Sequence, residues 1–226
     1  MVKVNRKEAE PMKEGYVDNR FASLYYKEMG QGMPLIMLHG NGESHEIFAR
    51  LSELMSRYYR VILMDSRGHG SSLMKEEAAG GDLTIPDMAA DVVQVMEFLH
   101  VPRAVILGFS DGANVALETA SCYPGRVSAV VAVSGNALPR GMSAASLMEV
   151  KIKYALWRGL EKVPLPRGVR ERAVKSRQLL GLMARWPRLD KEKLSCIQAP
   201  VLILTGRRDM FRPRPSLWMG EQIPDS

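Results

Sequence analysis

Five short apolar segments divide the chain and predict buried strands. Each holds at least four consecutive apolar residues bounded by turn-forming residues, a pattern typical of parallel strands covered by helices on both faces. The predicted strands are residues 34–40, 60–68, 104–110, 127–135 and 200–206. Residues 25–32 mix polar and apolar positions and end at a glycine, so we predict an edge strand there.

Between these strands, apolar residues recur at helical spacing. Thr84 is a natural N-cap for one of the helices, and Pro124 ends another. The alternation of strands and helices predicts an α/β fold, with an open, mostly parallel sheet, helices on both faces and right-handed crossovers. The predicted helices are residues 47–57, 84–99, 111–124 and 214–222.

Residues 137–195 interrupt this alternation. They contain two helical patterns, roughly 143–162 and 168–185, and no apolar run typical of a strand. We therefore predict a helical cap inserted at one end of the sheet. The predicted core comprises residues 1–136 and 196–226, and the predicted cap comprises residues 137–195.

The length and composition are those of an ordinary globular domain. The chain has 226 residues, of which 46% are apolar and 25% charged, so it can bury one large shared core. It contains no apolar run of the roughly 20 residues that would span a bilayer and no visible signal peptide. We therefore expect a cytoplasmic protein with no membrane partner. The chain has only two cysteines, so we predict no disulfide framework.

The net charge of +6 originates in the predicted cap. Residues 137–193 contain 14 Lys and Arg against 5 Asp and Glu. Such a segment can attract nucleic acid, acidic lipid or an anionic substrate, whereas solvated helix faces are the simpler interpretation. No nucleic-acid motif accompanies the charge, so we predict no nucleic-acid partner and leave the oligomeric state open.

The segment Gly108-Phe109-Ser110-Asp111-Gly112 joins a predicted buried strand directly to a helix of small residues. Such a turn strains the backbone of the serine, and the flanking glycines avoid clashes. It also places the hydroxyl at the carboxyl edge of the sheet, near the positive end of a helix dipole. We therefore predict Ser110 as a nucleophile.

A second glycine-rich turn, His39-Gly40-Asn41-Gly42, ends the first buried strand. It can direct a backbone amide toward the space above Ser110. The amides of Asn41 and Asp111 are therefore predicted to form an oxyanion hole.

The loop after the next strand contains Asp65, Arg67 and His69. We interpret it as structural, with a local ion pair between the carboxylate and the guanidinium. Asp209 follows the last strand at the same sheet edge, where its carboxylate could orient an imidazole. Arg207 and Arg208 beside it are either its ion-pair partners or exposed.

Two side chains are candidate substrate contacts. The Asp111 carboxylate could bind a substrate ammonium, although only its amide matters if the side chain caps the helix. Trp157 could line the pocket, together with Met142, Leu147 and Tyr154, although such residues at helical spacing are more often core. No metal-ligand cluster or phosphate-binding loop is visible, so no metal and no cofactor are predicted.

Taken together, these segments resemble the α/β-hydrolase superfamily from about residue 24 to the last residue. The segments HGNG, DSRGHGSS, GFSDGA and TGRRD occur in the order and approximate spacing that the family uses. The resemblance implies Ser110 as nucleophile, Asp209 as triad acid, and the amides of Asn41 and Asp111 as oxyanion donors. The aspartate after the nucleophile and the segment SGNAL are similar to the biphenyl hydrolase-like (valacyclovir hydrolase) group.

The triad implied by this resemblance also needs a histidine after the final strand. Only 17 residues follow Asp209, and none is histidine. His39 is expected to order its turn, His45 and His100 lie at helix ends, and His69 is a marginal candidate. We therefore expect the final strand and helix, about 25–45 residues, to be missing.

The predicted function is that of a serine hydrolase acting through an acyl-enzyme. The small-molecule substrate would be an ester, thioester, lactone or amide of a small acid. Without a histidine, these 226 residues are expected to have low or no activity, because an unassisted serine is a weak nucleophile. The alternatives are a catalytically impaired binding protein with this fold and a truncated fragment.

Overall fold

A mixed, mostly parallel sheet organises the structure, a computed structural model that describes residues 12–138, 142–206 and 213–226. The sheet has eight strands in the order β1-β2-β4-β3-β6-β7-β8, and β5 pairs with β2. Strands β3, β4, β6, β7 and β8 run parallel to one another, whereas β2 is antiparallel to β1, β4 and β5. The strands are β1 (Lys13–Asp18), β2 (Ala22–Met29), β3 (Met33–Leu38), β4 (Tyr59–Met64), β5 (Leu73–Met74), β6 (Ala104–Phe109), β7 (Val127–Val133) and β8 (Val201–Leu204).

Helices follow most of the parallel strands. The N-cap predicted at Thr84 is confirmed, because the Thr84 hydroxyl accepts a hydrogen bond from the Asp87 amide at 3.1 Å. Short 3₁₀ turns lie at His45–Phe48 and Pro124–Arg126. The helices are α1 (Ala49–Met55), α2 (Glu76–Ala79), α3 (Ile85–Phe98), α4 (Asp111–Cys122), α5 (Ala144–Leu160), α6 (Arg167–Arg185), α7 (Lys191–Ser195) and α8 (Pro213–Gln222).

The apolar strands bury both of their faces, which confirms the predicted fold. Successive side chains of a strand point to opposite faces, so Ile36 and Leu38 join a core cluster with α3 and α4. Their neighbours Leu35 and Met37 pack with Phe48 on the other face. A continuous apolar run therefore requires helices on both sides of the sheet.

The prediction of an edge strand at residues 25–32 is wrong. The observed strand β2 lies between β1 and β4. The edge is β1, where only Val17 is buried, so its sequence carries no apolar run that would reveal a strand. Strand β2 tolerates polar positions inside the sheet because Glu28 accepts a hydrogen bond from Arg60 of β4 at 2.7 Å.

Helices α5, α6 and α7 occupy the chain between β7 and β8, and the described part of this segment contains no strand. Helices α5 and α6 pack against each other and match the two predicted helical patterns. The short helix α7, which sequence analysis did not predict, lies against α4, where the Ser121 hydroxyl donates to the Lys193 carbonyl at 2.8 Å. The α5–α6 pair thus forms the outer part of the segment.

Candidate active site

Ser110 lies in the tight turn between β6 and α4. Its backbone adopts φ 54° and ψ −118°, a conformation that is costly for a residue with a side chain. A Cβ atom on Gly108 would overlap the Gly112 carbonyl, and one on Gly112 would overlap the Leu38 carbonyl. The two glycines are therefore required by the close approach of the backbone on either side of the serine.

The Asn41 turn lies directly beside this serine. A Cβ atom on Gly40 would lie only 3.1 Å from the Ser110 Cβ, and Asn41, Ser110 and Asp111 line one cavity. Within the described ranges, the backbone amides of Asn41 and Asp111 have no hydrogen-bond acceptor. The Asp111 amide is a free donor of the first turn of α4, as helix geometry requires. Two residues with free backbone amides therefore line the cavity that contains the serine.

The side chain of Asn41 connects this turn to α6. Its amide nitrogen donates to the Leu179 carbonyl at 2.9 Å, and its Oδ1 lies 3.2 Å from His69 Nε2. The Glu43 carboxylate accepts from the Gly40 amide at 2.9 Å. The position of the Asn41 backbone is therefore set by the loop itself and by α6.

The Asp111 carboxylate is buried and incompletely hydrogen-bonded. Its Oδ1 accepts from Asn114 Nδ2 at 3.1 Å, whereas Oδ2 has no partner in the described residues. Burial raises the pKa of this carboxyl from 3.8 to about 6. Asn114 also donates to Asn136 Oδ1 at 3.0 Å. The side chain thus belongs to a polar network between α4 and the residues after β7, and among the described residues its only hydrogen-bond donor is the Asn114 side chain.

The cavity at the serine is small, with a volume of about 20 Å³. This volume holds roughly one water molecule. Met142, Met183 and Trp186 form its wall on the side of the α5–α6 pair. This volume is smaller than an organic ester, so a bound substrate would extend beyond the cavity or displace these side chains.

Trp157, expected as a possible substrate contact, is not among the residues that line this cavity. Trp186 lines the cavity instead, because the end of α6, and not α5, lies next to the serine. Sequence reasoning also missed Asn136, a buried residue of the cavity wall. A polar residue directly after β7 was the available signal, since parallel neighbours end at the same sheet edge. No sequence signal identified Trp186.

None of the four histidines, all of which are described, hydrogen-bonds to Ser110. His39 donates from Nδ1 to the Gly40 carbonyl at 2.7 Å and accepts at Nε2 from the Ser66 amide at 3.0 Å. Burial lowers the pKa of His39, and lowers that of His69 to about 4. His45 bonds to Asp65, and His100 is exposed after α3. All four imidazoles are thus engaged or positioned elsewhere.

The predicted ion pair between Asp65 and Arg67 is wrong. Arg67 forms a bidentate pair with Asp91 of α3, with both N–O distances at 2.6 Å. Asp65 instead accepts from the backbone amides of His45 and Ser71 at 2.6 and 2.8 Å. The tight turn directs the guanidinium away from its own loop and toward α3, a long-range contact that sequence spacing does not reveal.

Asp209, Arg207 and Arg208 lie outside the described residues, so their predicted roles stay predictions. In the described ranges, no group of three or more His, Cys, Asp or Glu side chains is arranged to hold a metal ion. Across the same ranges, no helix is long and apolar enough to cross a membrane.

The chain is similar to known proteins of one family. A family model described as the alpha/beta hydrolase fold matches residues 33–160. The pimeloyl-[acyl-carrier protein] methyl ester esterase of Chromobacterium violaceum is 27% identical over 231 residues, covering 90% of this chain and 87% of that protein. The AB hydrolase superfamily protein YisY of Bacillus subtilis is 28% identical, with 84% and 80% covered.

A solved structure agrees with these sequence relatives. Est816, described as an N-acyl homoserine lactone degrading enzyme, superposes with a TM-score of 0.69 at 27% identity, covering 92% of this chain and 88% of that one. The family match spans more than half of the chain and includes β3, β6, the Ser110 turn and α5. By its sequence and its fold, the chain belongs to the α/β-hydrolase family.

Proposed function

We propose that this protein is a serine hydrolase that cleaves an ester, thioester, lactone or amide of a small acid. The observation that carries the proposal is Ser110, held at φ 54° between β6 and α4 beside two unpaired amides. Strain of this kind persists only where the surrounding structure enforces it, and it concentrates at functional sites. An esterase and a lactone-degrading enzyme among the similar proteins support the class of substrate.

In the proposed reaction, the Ser110 oxygen attacks the substrate carbonyl. The amides of Asn41 and Asp111 donate to the resulting oxyanion, where each such donor typically contributes about 10²–10³ in rate. The C–O, C–S or C–N bond of the tetrahedral intermediate then breaks, the leaving group takes up through water the proton that the Ser110 hydroxyl has lost, and the acyl group stays on Ser110. Water next attacks this acyl-enzyme, which releases the acid and returns a proton to the Ser110 oxygen. Asp209 remains our proposal for the triad acid.

We propose slow turnover for the 226-residue chain. Its four imidazoles bond elsewhere or lie away from the site, so none is in place to accept the proton of the Ser110 hydroxyl. Catalysis would then rest on the oxyanion donors and on binding, which together leave only a small part of the full rate.

A fluorophosphonate probe tests the nucleophile without requiring turnover. Ser134 provides a matched control, because it follows the adjacent strand β7 and has a similar positive φ of 55°. Because no imidazole activates Ser110, we expect slow labelling of the native chain and of Ser134→Ala, located at Ser110 by peptide mass spectrometry, and no labelling of Ser110→Ala. Equal labelling of Ser110→Ala would refute the assignment.

A second candidate function is a non-catalytic binding protein with this fold. The observation in its favour is the lack of an imidazole at Ser110 among the described residues. It predicts that the native chain resists the probe and releases no product from p-nitrophenyl acetate. A stoichiometric burst of p-nitrophenol that Ser110→Ala abolishes would exclude it.

A further inference from the structure

Helix α5 exposes a row of large apolar side chains. Met148, Ile152 and Leu156 are 60%, 53% and 67% exposed. Residues four apart lie on one face of a helix, so the three form a continuous stripe, which we call the outer stripe. Val163, in the connection to α6, and Val169, in the first turn of α6, are also exposed. The outward face of a surface helix is normally polar, so this arrangement requires an explanation.

The opposite face of α5 is held against α6, which fixes the direction of the stripe. Tyr154 packs over Gly181 of α6, where an added Cβ would lie 2.9 Å from the Tyr154 ring. At the end of α5, Arg177 of α6 donates to Glu161 at 2.6 Å. Rotating α5 to bury the stripe would break both contacts. The helix is therefore apolar on two sides, and none of its described residues is buried.

Cations flank the outer stripe. Lys151 and Lys153 precede and follow Ile152, each about 100° around the helix from it, and Arg158 lies on the same side as Lys151. All three cations are exposed; Lys153 is paired with Glu149 at 2.5 Å, so Lys151 and Arg158 carry the positive charge beside the stripe. Residues 142–193 contain 13 Lys and Arg against 5 Asp and Glu. The surroundings of the stripe are thus strongly basic.

We propose that the outer stripe docks on the surface of an anionic lipid bilayer, with α5 lying in the plane of the interface. A surface helix can bind there when its exposed apolar side chains enter the boundary of the acyl chains and its cations meet the headgroups. A convex row of Met, Ile and Leu needs no complementary pocket in a fluid partner. Pairing two copies of the stripe would instead bring like charges together.

Sequence analysis did not predict this surface. Met148, Ile152 and Leu156 fall at helical spacing, which is the pattern expected of core residues. The absence of a spanning segment led us to expect no membrane partner, but docking in the plane of the interface requires no such segment. The outward direction of the stripe depends on the contacts between α5 and α6.

Vesicle flotation tests the proposal with the full chain. We compare vesicles of phosphatidylcholine alone with vesicles containing about one third phosphatidylglycerol, at low and high salt. The native chain is expected to float with the anionic vesicles, less so at high salt, and to remain unbound with the neutral ones. The triple variant Met148→Gln, Ile152→Gln, Leu156→Gln is expected to lose at least ten-fold in partitioning.

Two further variants separate the apolar and electrostatic contributions. Replacing three exposed apolar residues outside α5 (Leu54→Gln, Tyr58→Gln, Leu217→Gln) should leave partitioning unchanged. Lys151→Gln with Arg158→Gln should lower it about five-fold per cation on anionic vesicles only. Circular dichroism and thermal melts establish that the variants are folded, as expected for exposed positions.

Three results would overturn the proposal. The first is equal flotation of the native chain with neutral and anionic vesicles, or equal flotation of the native chain and the stripe variant. The second is binding to polyglutamate without binding to vesicles, which would assign the stripe to an acidic protein. The third is a dimer in sedimentation velocity that the stripe variant abolishes, without vesicle binding. None of these measurements depends on Ser110.

Discussion

The buried Asp111 carboxylate should lower the stability of the folded protein at neutral pH. Burial raises its pKa from 3.8 to about 6, so between these values the folded state binds a proton that the unfolded state has released. Stability therefore falls as pH rises through this window. In Asp111→Asn the amide oxygen retains the bond from Asn114, and the site no longer titrates.

The size of the effect follows from the pKa difference. A shift of about 2 units at about 1.4 kcal/mol each amounts to about 3 kcal/mol, reached above pH 7. At pH 4 the same calculation gives about 0.5 kcal/mol. An unpartnered amide nitrogen in the variant adds a cost of about 1–3 kcal/mol, which does not depend on pH. The informative quantity is therefore the change with pH in the stability difference between the two proteins.

Urea denaturation of both proteins from pH 4 to pH 8 measures this difference. The free energy of unfolding of Asp111→Asn, relative to that of the native chain, should rise by about 2–3 kcal/mol across this range and level off near pH 7. Titration of His39 and His69 occurs in both proteins and cancels in the comparison. A difference that stays constant with pH would refute the reasoning, because it would mean that Asp111 titrates alike in the folded and unfolded states.

Three further predictions concern packing and the site. Asp91→Ala removes the bidentate partner of the buried Arg67 and leaves it only the Asp87 carboxylate, 3.8 Å away, so thermal unfolding should show a loss of about 3 kcal/mol, whereas Glu171→Ala, at an exposed ion pair, should leave the melting temperature unchanged. Trp186→Ala should widen the cavity, so the ratio of the inactivation rate with a long-chain alkyl fluorophosphonate to that with a short-chain one should rise about ten-fold. Trp157→Ala is the control, and an equal rise there would contradict the assignment of Trp186 to the cavity wall. Gly112→Ala should abolish probe labelling and lower the melting temperature, because the added Cβ meets the Leu38 carbonyl; a native-like variant would contradict the close approach.

The parallel strands and the serine turn were predictable because their signals are local. A continuous apolar run can bury both faces only inside a covered sheet, and glycines on both sides of Ser110 are demanded by the turn itself. Strand β1 carries no such signal. It pairs with β2 along its whole length, but its own sequence is polar at most positions, so the pairing depends on a neighbour rather than on its own pattern.

The sequence by itself determined the parallel strands, the longer helices, the family resemblance and the turn that holds Ser110. Tertiary structure alone decided the partner of Arg67, the polar network from Asp111 to Asn136, the identity of the tryptophan at the cavity and the outward face of α5. All four depend on how separate elements pack against one another. Hydrophobic periodicity shows that a helix has an apolar face, but only the neighbouring helix determines whether that face is covered.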